Sequence, residues 1–92
     1  MQPQLTEAQM LTELELVRRL QEVGLRFDRR RVNLGKEPHF VEGFVEDVHV
    51  WIYSGGGASI VGRGADLMIE KEDYDSPEEL RTGVIDRLME LF

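Results

Sequence analysis

The stretch Val48-His49-Val50-Trp51-Ile52-Tyr53 constrains this chain more than any other. β-branched residues at 48, 50 and 52 alternate with ring-bearing residues at 49, 51 and 53, so an extended backbone puts aliphatic groups on one face and rings on the other. Neither is a solvent face. Such a strand belongs in the centre of a sheet, with one face on the main core and the second either covered by another element or offered as a contact surface.

A chain of 92 residues has material for a single core, so residues 1–92 are read as one domain. With 41% hydrophobic and 32% charged residues the composition is that of a globular protein and not of a disordered one. No apolar run approaches the roughly 20 residues that span a bilayer. Met1-Gln2-Pro3-Gln4 lacks the basic and apolar regions of a secretory leader, and the absence of cysteine excludes disulfides and thiolate metal sites. Together these make the cytoplasm the expected location.

The net charge of -7 is unevenly spread. Residues 1–36 hold seven basic and five acidic groups, whereas residues 37–92 hold four and thirteen. An acidic chain of this kind is repelled by nucleic acid phosphates and by anionic membranes. The expected partner is therefore a protein, either a basic one or a second copy of the chain.

Helix signals stand at both ends. Leu5-Thr6-Glu7-Ala8-Gln9-Met10 carries a cap at Thr6, a return bond from Gln9 and a hydrophobic staple from Leu5 to Met10. Met10, Leu14, Val17 and Leu20, widened by Leu16 and Val23, give that helix its apolar stripe, and Gly24 its stop. Near the other end, Ser76-Pro77-Glu78-Glu79 supplies a cap, a proline at the first helical position and the acid of a capping box. Leu80, Val84, Leu88 and Leu91 form the second stripe, broadened by Ile85 and Phe92; Gly83 inside it suggests close packing on the sheet.

Between the helices the period is two. Phe40 to Glu46 reads as a strand with a bulge at Gly43, Val48 to Tyr53 as the central strand, and Ser54-Gly55-Gly56-Gly57 as a hairpin turn. Ala58 to Val61 returns, Gly62-Arg63-Gly64-Ala65 turns again, and Asp66 to Lys71 is a further strand. Leu25 to Pro38 reads mostly as loop, with Leu25 and Phe27 able to start an edge strand. Its arginines at 26, 29, 30 and 31 lack interleaved stacking aromatics and are read as neutralising the acidic half or as solvated.

No motif carries chemistry. Gly57 to Gly64 fails as a phosphate loop because Arg63 and Gly64 stand where lysine and a hydroxyl residue are needed, and a strand follows where a helix should. Asp73-Tyr74-Asp75 fails as a calcium loop, since Pro77, Glu78 and Val84 occupy obligatory ligand and glycine positions. Asp47 and His49 share a strand face, yet with no third partner and no nucleophile motif they make no catalytic site. No catalytic residue, cofactor or metal is expected.

The element order helix, three strands, helix resembles that of the double-stranded-RNA-binding domain. In that family the start of the second helix is basic; here Glu78 and Glu79, preceded by Asp73 and Asp75, stand in its place and would repel phosphate. The resemblance therefore implies an architecture and no RNA binding.

The expected fold is α+β: an antiparallel meander of three to four strands, flanked in sequence by an N-terminal and a C-terminal helix that both pack on one face. That face carries Val48, Val50, Ile52, Ile60, Leu67 and Ile69, meeting Leu14 and Val17 of the first helix and Leu80, Val84 and Leu88 of the last. The opposite face shows His49, Trp51, Tyr53, Val61, Arg63 and Met68. These residues point to a non-enzymatic interaction module, a homodimer or a small acidic adaptor or inhibitor of a basic protein. The competing expectation is a ligand-binding protein or minor enzyme with a pocket around His49, Tyr53 and Arg63. For the helix boundaries, Thr6→Ala and Ser76→Ala should each cost about 1 kcal/mol in urea unfolding, with Glu15→Ala nearly neutral; equal losses at all three would reject the caps.

Overall fold

The computed structural model of the chain describes residues 4–35 and 39–92. Met1 to Pro3, part of the stretch read for a leader, and Pro38, read as a turn former, lie outside the described residues. The first helix, α1 (Glu7–Glu22), begins at the Thr6 cap. The Gln9 amide donates to the Thr6 hydroxyl at 3.1 Å and the Thr6 amide to the Gln9 side-chain oxygen at 2.8 Å, completing the reciprocal box. The helix ends as Gly24, at φ +75°, turns left-handed. The amides of Gly24 and Leu25 then donate to the Gln21 and Leu20 carbonyls at 3.2 and 2.9 Å, the two bonds of a Schellman stop.

The segment expected to be mostly loop forms a strand, β1 (Phe27–Asn33). It is followed by β2 (Phe40–Val45), β3 (Val48–Tyr53), β4 (Ala58–Gly62) and β5 (Ala65–Ile69), paired antiparallel in the order β1-β2-β3-β4-β5. A single turn of 3-10 helix over Lys71–Asp73 then leads to α2 (Pro77–Met89). The meander thus has one strand more than expected, and its extra strand is an edge. Only Phe27 of β1 is buried, because an edge strand is held by ladder hydrogen bonds on one side and needs no apolar alternation; charged residues there also discourage further pairing. The irregularity expected at Gly43 lies across from it: Arg29 pairs with Gly43 and Arg31 with Glu42, leaving Arg30 as the extra residue. Gly43 itself sits so close to β1 that a Cβ would come within 2.7 Å of the Phe27 ring.

On the helix side of the sheet, Val48, Val50, Ile52 and Ile60 are fully buried, Ile69 nearly so and Leu67 in part, against Leu80, Val84, Ile85 and Leu88 of α2. The first helix departs from expectation. Its inward residues are Gln9, Thr12, Leu16 and Leu20, with Val17 at the margin, while Leu14 is 63% and Met10 49% exposed. The reason is space. The helix start lies against the β3–β4 hairpin: the Thr12 hydroxyl donates to the Gly56 carbonyl at 3.3 Å, and a Cβ on Gly56 would stand 3.3 Å from Ala8 and from Thr12. The hairpin packs against these short side chains and so turns their side of the helix inward and Leu14 outward, although Leu14 is the more apolar.

The second helix also differs in detail. The Glu79 amide donates to the Ser76 hydroxyl at 3.1 Å as expected, but the Glu79 carboxylate accepts from the Asp75 amide at 3.2 Å, one residue before the cap. Gly83 faces the Tyr74 ring, with no room for a Cβ; the close approach is to that ring and not to the sheet.

Gly83→Ala, which in an open helix interior would stabilise by about 1 kcal/mol, should here lower the urea midpoint. Leu14→Lys should stay within about 0.5 kcal/mol of the parent, whereas Leu16→Ala should cost about 2 to 5 kcal/mol. A large loss at Leu14 would contradict the helix rotation described above.

Candidate interaction surface

Both helices pack on the valine side of β3, so no described element covers its ring side. Register places three rows across that open face. One runs Asp28, Phe44, His49, Val61, Asp66; the next Arg31, Glu42, Trp51, Ser59, Met68; the third Asn33, Phe40, Tyr53. Five of the six expected face residues, His49, Trp51, Tyr53, Val61 and Met68, lie together here. Val61 is 39% and Met68 57% exposed, and the three ring-bearing residues of β3 are half-buried.

What half-buries them is one another. The Phe44 and His49 rings stack with centroids 4.3 Å apart and planes 20° apart, and His49 and Trp51 stack at 3.8 Å and 25°. The rings therefore stand upright on the sheet with flanks pressed together and edges outward, an arrangement that conceals much of their area without a covering layer. Guanidinium groups flank the cluster, Arg30 at 5.8 Å from the Phe44 centroid and Arg31 at 5.3 Å from that of Phe40.

Polar groups run through the middle of the face. The Glu42 carboxylate, only 13% exposed, lies 2.7 Å from His49 Nε2 and 3.0 Å from Arg31 Nε. A carboxylate can only accept, so the Nε2–H of His49 donates to Glu42 and the imidazole is fixed against Trp51. Farther along, the Tyr53 hydroxyl is 2.9 Å from Ser59 Oγ, which donates to Met68 Sδ at 3.3 Å. Since the serine proton is committed to sulfur, Tyr53 donates to Ser59.

Arg63 is not on this face. In the β4–β5 turn, where Arg63 (φ +50°) and Gly64 (φ +83°) make the two positive-φ positions of a type I′ hairpin, its Nε donates to Asp47 at 2.8 Å and an Nη to the Leu91 carbonyl at 3.0 Å. Its guanidinium lies 4.2 Å from the Phe92 centroid. Arg63 ties the chain end to the turn. The fold does not bring His49, Tyr53 and Arg63 together: Tyr53 is at the far end of β3 with Ser59, His49 belongs to the ring cluster, and Arg63 is held at the turn by Asp47 and Leu91. Asp47 and His49, read as a possible pair, go to Arg63 and Glu42 respectively.

Sequence reasoning missed Phe40, Glu42 and Phe44 as members of the face. Their own alternation was visible; pairing β2 in register with β3 would have placed them. The basic cluster is paired throughout its middle, Arg29 with Glu13 by two bonds of 2.9 and 2.6 Å, Arg30 with Asp28 at 2.8 Å, and Arg31 with Glu42. Two of these three acids belong to the N-terminal part of the chain, so the neutralisation is mainly local. Among the described residues, no group of three acidic or imidazole side chains converges as a metal site would require, and no helix is long and apolar enough to cross a membrane. No protein-family model, curated protein or solved structure matches the chain.

The Arg63 hydrogen bond, with a smaller contribution from the backbone, holds the Asp47 carboxyl below its ordinary value of 3.8. A depressed carboxyl adds stability at neutral pH that disappears as pH falls through the folded-state value. Asp47→Asn should thus lower the urea midpoint at pH 7, and its difference from the parent should shrink as the pH falls below 3.8. An undiminished difference at acid pH would separate Asp47 from the ion pair.

Proposed function

We propose that this chain is a non-enzymatic protein–protein interaction module that docks another polypeptide on the ring-bearing face of its sheet. The observation that carries this reading is a central strand whose second face holds a tryptophan, a tyrosine and a histidine with no layer of the described fold above them. Tryptophan, tyrosine and methionine at the centre with arginine at the rim is the composition enriched in interface cores. Glu42, held by His49 and Arg31, would supply orientation more than affinity, because its hydrogen bonds are already made before a partner arrives.

The geometry argues against nucleic acid as the ligand. Base-stacking platforms present ring faces, whereas Phe44, His49 and Trp51 turn their faces to one another. A net charge of -7 adds long-range repulsion. The docked polypeptide is either a second copy or a basic protein.

Trp51→Ala discriminates. At a docking centre the variant should remain folded while self-association in sedimentation velocity, or retention of a co-purifying protein, weakens by on the order of 2 kcal/mol. If the parent is monomeric, co-purifies with nothing, and Trp51→Ala simply costs about 3 to 5 kcal/mol of folding stability, the rings are ordinary core and the proposal fails.

A further inference from the structure

The two edges of the sheet are not equivalent. At β1 the ladder is broken by the bulge at Arg30, and Arg29, Arg30 and Arg31 crowd the edge, which are devices that block further pairing. At β5 neither is present: Ala65-Asp66-Leu67-Met68-Ile69 has no bulge, proline or cation, and pairs with β4 alone. The type I′ turn makes Gly62 and Ala65 a hydrogen-bonded pair, so Ala65, Leu67 and Ile69 spend their backbone groups on β4. Asp66 and Met68 aim their amides and carbonyls outward.

We propose that the outer edge of β5 accepts an extended, lysine- or arginine-bearing segment of a partner protein as a sixth strand. This rests on the reading of the chain as a protein-binding module but uses a different part of it. Charge selects the occupant: residues 65–75 hold five acids, Asp66, Glu70, Glu72, Asp73 and Asp75, against the single base Lys71. A second copy adding through its own β5 would bring these acids against their like. On the ring side, the incoming strand would set a cation beside Asp66 and, two residues on, an apolar side chain beside the exposed Met68, so main-chain bonds give affinity and this spacing gives selection. An open recess lined by Tyr53, Met68, Ile69 and Lys71 lies where the strand ends, ready for a further side chain.

The test uses the whole chain, isotopically labelled, and a decapeptide repeating Lys-Thr-Val-Thr, in which lysine and valine alternate along one face, with a peptide repeating Glu-Thr-Val-Thr as control. The lysine peptide should saturably shift the amide resonances of Asp66 and Met68 and slow their hydrogen exchange, and the glutamate peptide should not. Met68→Pro removes an outward amide that β4 does not use and should abolish the shifts at Asp66. Asp66→Lys, at an exposed position with no fold to lose, should weaken binding by about tenfold or more. Self-association of the parent without peptide reads the ring face alone, so loss of that reading and loss of this one register separately. Shifts confined to β1, equal binding of both peptides, indifference to Met68→Pro and Asp66→Lys, or no shift at millimolar peptide would each overturn the proposal.

Discussion

The register that joins β3 to its neighbours is the constraint from which the other features follow, since side chains alternate with period two and a slip of one residue would exchange the valine and ring faces entirely. Val41 against Ile52, Gly43 against Val50 and Val45 against Val48 on one side, and Ile60 against Val50 on the other, lock the aliphatic set inward. Burying that set under α1 and α2 makes any slip costly, because it would place His49, Trp51 and Tyr53 against Leu16 and Leu88. The ring face is a consequence of the same locking. Once the valines face the helices, the rings have nowhere else to go.

That face is stable uncovered because its members satisfy one another. Upright stacking removes ring area from water, Glu42 takes both His49 and Arg31, and the Tyr53–Ser59–Met68 chain of hydrogen bonds uses the polar tips. A surface so pre-arranged would lose little conformational freedom if a partner settled on it, as the proposed function requires. Arg63 plays no part there. By fastening Asp47, Leu91 and Phe92 around the β4–β5 turn, it keeps the chain end at the margin of the fold.

Charge divides the sheet along a second axis. The arginines of β1 meet their acids mainly within the same part of the chain, through Glu13 and Asp28, so the acidic residues from β5 onward are left largely without basic neighbours. Self-repulsion there opposes compactness slightly, and a cationic segment along β5 would relieve it. The bulged, guanidinium-lined edge and the plain acidic edge are thus chemically opposite ends of one sheet.

Local patterns were sufficient where the deciding interactions are between near neighbours. Thr6 with Gln9, Ser76 with Glu79 and the stop at Gly24 bridge only a few residues, and the alternation of Val48 to Tyr53 is intrinsic to an extended chain; from these the two helices, the central strand and its two unlike faces could be read. The sequence by itself determined that much. Tertiary structure decided what depends on distant contacts. Phe27 to Asn33 became a strand because the edge of β2 offered hydrogen bonds, which leave no mark on side-chain pattern. Leu14 turned outward because the glycine hairpin, more than forty residues away in sequence, packs against Ala8 and Thr12 and so turns their side of the helix inward. Gly83 is required by Tyr74, and Arg63 left the ring face for Asp47 and the chain end. In each case apolarity or charge gave the residue's preference, and the space or partner supplied by another segment determined where it could be met.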